Sequence, residues 1–94
     1  MQSLHELLEE TGFQVTLRMD AAFDQAAYGR IRDALREHAE NWKKADCVPF
    51  NEMAELLGLI DQLARGSDFY DEETAGLAEN ACLELEEIIY DLQD

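Results

Sequence analysis

The chain has 94 residues and carries 22 acidic against 7 basic side chains, a formal net charge of −15 at neutral pH. That balance argues against direct binding to nucleic acid or to anionic membranes, because both want basic surface. Hydrophobic residues make up 47%, an ordinary globular share, so the acidity does not read as disorder. The length suits one domain, residues 1–94, that needs no disulfide or metal staple.

Ser3 predicts the cap of a short first helix, Leu4 to Thr11, with Leu4, Leu7 and Leu8 on one side. Glu6 completes a capping-box pattern and Gly12 supplies a left-handed stop. Phe13, Val15, Leu17 and Met19 then alternate with Gln14, Thr16, Arg18 and Asp20, the period of a half-buried strand. Such a β segment at residues 13–19 is an extended connector, or pairs locally near Cys47-Val48, or pairs with another molecule. Asp20 is read as opening the longest helix, to about Lys44, with Phe23, Ala27, Ile31, Ala34, Leu35, His38 and Trp42 on its apolar stripe. Arg32, Arg36 and Lys43 fall together on a flank of the opposite side. Pro49 starts the third helix, whose face is read as Phe50, Met53, Leu56, Leu57, Ile60, Leu63 and Ala64, ending at Gly66. The last helix, about Asp71 to Leu92, has Ala75, Ala78, Ala81, Cys82, Leu85, Ile88, Ile89 and Leu92 as its inner stripe. The expected fold is therefore all-α, a small bundle of three long helices and a short N-terminal one, with the possible strand as its one departure.

The charge is unevenly placed. Residues 45–94 hold fourteen acids against the single base Arg65, while residues 1–44 hold eight against six. Helix physics explains part of this: Asp71, Glu72 and Glu73 in the last helix, Asp20 and Asp24 in the long one, and Glu52 in the third complement helix N-termini. It does not explain Glu84, Glu86, Glu87, Asp91 and Asp94, which crowd a C-terminus where the dipole is already negative, at roughly 0.3–1 kcal/mol each in low salt. Glu87 and Asp91 also repel across one helical turn. The alternative explanation is an acidic face kept for solubility.

Leu83 and Tyr90 project opposite the apolar stripe, one heptad apart, with Gly76 a heptad earlier and Glu79, Glu86, Glu87 and Asp94 around them. Apolar anchors in a charged rim are an interface pattern. The competing reading packs the N-terminal helix over both, and Phe69 and Tyr70 in the preceding loop carry the same ambiguity.

Catalytic chemistry finds little support. His38 sits on an apolar stripe, where a packed histidine with one hydrogen bond is the usual case. No zinc-type spacing of Cys and His, no calcium loop and no phosphate-cradling glycine loop occurs. Ser3 and Ser67 read as helix-boundary residues, and neither Cys47 nor Cys82 has a recognisable base beside it. The sequence predicts no catalytic residue, cofactor or metal. The opening Met1-Gln2-Ser3-Leu4-His5-Glu6 lacks a signal peptide's basic and apolar regions, so reduced thiols in a cytoplasmic protein are expected.

Ten carboxylates lie between Asp68 and Asp94, about one per 4 Å of helix, close to the ~3.4 Å charge spacing along one DNA strand. The leading expectation is a non-catalytic inhibitor that occupies a basic, nucleic-acid-binding surface of a partner protein, of the kind met among anti-CRISPR, anti-restriction and nuclease-immunity proteins. That is a likeness of class alone. The partner-binding set is Phe69, Tyr70, Glu79, Leu83, Glu84, Glu86, Glu87, Tyr90, Asp91 and Asp94. The alternative is a regulatory or adaptor module without a nucleic-acid connection. It includes a homodimer docked through the basic flank of the long helix or through the strand.

Overall fold

In the computed structural model, which describes residues 2–65 and 71–93, the chain forms five α-helices and no strand among the described residues. They are α1 (Leu4–Thr11), α2 (Phe13–Asp20), α3 (Gln25–Ala45), α4 (Phe50–Arg65) and α5 (Glu72–Tyr90), closed by a 3-10 turn, Asp91–Gln93. No helix is long and apolar enough to cross a membrane among these residues.

Ser3 caps α1 as its sequence predicts, its hydroxyl accepting from the Glu6 N–H at 3.1 Å, and Gly12 closes it at φ 65°. A second cap arrives from far along the chain. The Leu4 N–H donates to a carboxylate oxygen of Glu52 at 3.1 Å, and Glu52 is buried among the apolar residues of α4. A helix N-terminus has unpaired N–H groups and a positive partial charge, so the buried carboxylate is compensated there.

The alternation at residues 13–19 is helical, not extended. Phe13 and Leu17 lie one turn apart and are both fully buried, while Val15 and Met19 form the other spacing-of-four pair and stay exposed. Four alternating apolar residues satisfy either period over so short a span. The ambiguity is resolved by the core, which needs two anchors, and by the lack of a strand to complete a ladder. Gly12 serves both as the end of α1 and as the residue preceding α2, a role its positive φ permits. The long helix consequently starts later than expected: Asp20 ends α2, and Asp24 caps α3 by accepting from the Ala27 N–H at 3.0 Å.

Helix adjacency runs in a ring, α1 beside α3, α3 beside α5, α5 beside α4 and α4 beside α1. Tyr28 reaches Ala81 and Glu84, and Lys43 reaches Asp91, so α3 and α5 run parallel. Ile60 meets Cys82 while Ala64 shares a groove with Ala75, so α4 and α5 run antiparallel. Leu8, Leu17, Ile31, Leu35, Leu56, Leu59, Leu63 and Leu85 meet in the middle. At the end capped by α2, Phe13 packs edge-on to Phe23 at 5.3 Å and Phe23 lies 5.4 Å from Tyr28, between ring centres. Offset and edge contacts of this kind add to the apolar burial.

The face of α4 differs from the expected one. Glu52, Leu56, Leu59 and Leu63 are buried, whereas Phe50, Leu57 and Ala64 are exposed. This helix is apolar on more than half its circumference, so periodicity leaves its roll undetermined; the Glu52 bond to α1 selects it.

The helical reading of residues 13–19 separates residues that a strand would place on one face. Phe13→Ala should cost roughly 3–5 kcal/mol in urea unfolding, and Val15→Ser no more than about 0.5 kcal/mol. Equal costs would restore the strand.

Candidate functional site

The outer surface of α5 depends on how the helix is rolled, and Glu84 decides that. Its carboxylate accepts the Tyr28 hydroxyl at 2.5 Å and lies 3.8 Å from Arg32 and 3.7 Å from Arg36. Burial, and then the Glu84 carboxylate, push the Tyr28 phenol well above its ordinary range. Lys43 Nζ donates to the Asp91 carbonyl at 3.3 Å, so a cation does sit at the C-terminal end of α5. The three bases that the sequence places on a free flank thus face α5. They offset part of its charge within the fold, and Glu84 is a structural residue as well as a member of the expected binding set.

With Glu84 turned towards α3, its neighbour Leu83 is carried outward. Leu83 is 59% and Tyr90 62% exposed. The N-terminal helix does not cover them, because α1 packs on α3 and α4 with Leu4, Leu7 and Leu8 in the core. Glu79, Glu87 and Asp91 are exposed too, and no ion pair among the described residues reaches their carboxylates. Glu86 is half-buried and accepts from the Cys82 thiol at 3.1 Å. Burial and then this carboxylate push the thiol up to about 11, which leaves it protonated and unreactive at neutral pH. Phe69, Tyr70 and Asp94 lie outside the described residues.

The expected site therefore splits into two flanks of one helix. Glu84 belongs to the contact with α3. Glu79 and Leu83 border a groove against Ala64 of α4, Glu86 is bonded to Cys82 beside it, and Tyr90 and Glu87 are exposed on the outward side. Alongside them is a pair that apolar periodicity places in the core: Leu57, 56% exposed, and Phe50, 88% exposed, on α4. Their heptad spacing was visible, matching that of Leu83 and Tyr90, but the broad apolar circumference of α4 concealed its meaning.

Side chains with catalytic potential are otherwise engaged. His38 Nε2 meets the Gln2 carbonyl at 2.8 Å and its ring stacks on Trp42. His5 bridges Glu9 at 3.1 Å and Glu55 at 2.8 Å, tying α1 to α4, and the bond to Glu55, reinforced by the charge of Glu9, raises its pKa. Among the described residues no group of three or more His, Cys, Asp or Glu side chains could hold a metal ion, and no buried side-chain polar atom lacks a partner.

Compared with protein families, with characterised proteins and with solved structures, the chain matches none. What can be said of its function rests on its own surface.

The division of labour along α5 predicts opposite outcomes for near neighbours. Glu84→Ala removes a charge-assisted bond and should destabilise the fold by about 1–2 kcal/mol in urea unfolding. Glu87→Lys, on the outward side and closer to the C-terminus, should change stability by no more than about 0.5 kcal/mol, with any gain largest at low salt. A larger loss at Glu87 than at Glu84 would reverse the assignment.

Proposed function

We propose that this protein is a non-catalytic binding module, a small acidic inhibitor that occupies a basic, nucleic-acid-binding surface of a partner protein. The observation that carries the reading is the outer side of α5, where Glu79 and Glu87 stay exposed and outside any ion pair among the described residues, although the fold has bases it uses on the other side, at Glu84 and Asp91. A fold under selection for stability alone favours lysine near a helix C-terminus. Closely spaced carboxylates on a rigid helix offer a partner the same steering and counterion release as a phosphate backbone.

A second reading, an adaptor or regulatory module with no nucleic-acid connection, is favoured by Leu83 and Tyr90, because charge mimicry by itself requires no apolar anchor.

Affinity capture from host lysate at about 0.05 M and 0.5 M NaCl, spanning strong and weak screening, separates the two. The inhibitor reading expects a basic nucleic-acid-binding protein that is retained at low salt, displaced by DNA or RNA, and lost with a Glu79→Lys/Glu87→Lys variant. A partner indifferent to salt, nucleic acid and charge reversal contradicts it and supports the adaptor.

A further inference from the structure

The surface between α4 and α5 is apolar at its lips and acidic in its walls. Phe50 and Leu57 stand seven residues apart on α4, and Leu83 and Tyr90 seven apart on α5, all four exposed. Residues a heptad apart on a helix fall on one nearly straight stripe. Ile60 and Cys82 meet at the seam, and at about 100° per residue Leu57 stands about 60° round from Ile60 and Leu83 about 100° round from Cys82, so each stripe is on the outward side of its helix and flanks the seam. On α4 the opposite side is taken by α1 and α2, through the His5–Glu55 contact at 2.8 Å and the bond from Gln62 to the Gln14 carbonyl at 3.0 Å. On α5 the contact with α3, through Tyr28 and Glu84, lies about 100° round from Leu83 in the other direction. The Cys82 thiol reaches the Ile60 carbonyl at 3.9 Å beneath, and Ala64 and Leu83 line one open groove of about 250 Å³ with Glu79.

Among the described residues, the charged side chains that α5 sets along this groove are acidic. Glu79 lines it, Glu86 is half-buried beside it and Glu87 stands beyond it. Arg65, the one base on α4, is held by Asp61 at 3.0 Å.

We propose that the α4–α5 groove seats a basic amphipathic helix of a partner protein. Apolar side chains of that helix lie between the two stripes, and its lysines and arginines meet Glu79, Glu86 and Glu87. Charge complementarity selects this occupant. A second copy of the chain, docked about a two-fold axis, would set these glutamates against their own images, and an acidic or neutral helix would leave them unpaired. An amphipathic helix laid in a groove presents its anchors at the three-, four- and seven-residue spacings that such paired stripes accept. The inference deepens the proposed function, since it rests on α5 being a docking surface and adds the class of segment that docks.

The probe is a labelled helical peptide of about 18 residues with leucines at those spacings and lysines elsewhere, and its control has serines for the leucines. Fluorescence anisotropy in about 0.1 M NaCl should show the leucine peptide binding at least about tenfold more tightly than the control, with that margin lost on Leu57→Ser/Leu83→Ser. Both positions are exposed, so the substitutions leave the core intact, which circular dichroism checks. Absence of binding, equal binding of the control, or unchanged binding by the variant overturns the proposal. A dimer of this chain that dissociates on Leu57→Ser/Leu83→Ser overturns it as well, by giving the groove to a second copy. The two readings fail differently: a natural partner lost with Glu79→Lys/Glu87→Lys but retained by Leu57→Ser/Leu83→Ser removes the groove and leaves the acidic docking surface standing.

Discussion

Glu84 holds α5 in one orientation. Its carboxylate is bonded to the Tyr28 hydroxyl and faces Arg32 and Arg36, and this places one specific line of the helix against α3. Adjacent helical residues differ by about 100°, so turning Glu84 inward turns Leu83 outward. Tyr90, a heptad further, follows. Glu52 does the same for α4: its bond to the Leu4 N–H draws that side of the helix beneath α1 and rolls Phe50 and Leu57 out to the surface. Both carboxylates act as registration marks, and the composition of the outer face follows from them.

The roll of these helices also governs the electrostatics. Ion pairs between exposed side chains contribute little, on the order of 0–1 kcal/mol each, so Arg32, Arg36 and Lys43 do not neutralise the C-terminal half. Their effect is positional. They gather on one side of α5, next to Glu84 and the Asp91 carbonyl, and leave Glu79 and Glu87 without cations on the other side. Net charge of this size lowers the stability of a compact state through self-repulsion. The cost falls on an exposed surface where ionic strength, or a basic partner, relieves it.

Much of this architecture is legible in the sequence. The caps at Ser3 and Asp71, the stop at Gly12, and the stripes Ile31–Leu35–Trp42 and Ala78–Leu85–Ile88 follow from spacing and residue type, because each concerns contacts within a turn or two of helix. What was not legible depends on contacts distant in the chain. The short alternation at Phe13–Met19 fits two periods, and tertiary burial of Phe13 and Leu17 decides between them. Periodicity points to the wrong face of α4 because seven apolar residues spread around the helix outweigh one glutamate. That glutamate is the residue that matters, through a bond spanning 48 positions. Arg32, Arg36 and Lys43 were correctly grouped, but nothing in their spacing says that α5 lies against them. The exposure of Leu83 and Tyr90, which spacing left open, turned on where α1 docks.

The account stands on the outward roll of α4 and α5, and the most direct test is the solvent exposure of individual methyl groups. In methyl NMR spectra with a soluble paramagnetic probe, Leu57 and Leu83 should broaden strongly while Leu59 and Leu85 stay sharp. Protection of Leu57 or Leu83, with broadening at Leu59 or Leu85, would mean that the helices are rolled the other way and that neither carboxylate sets the surface.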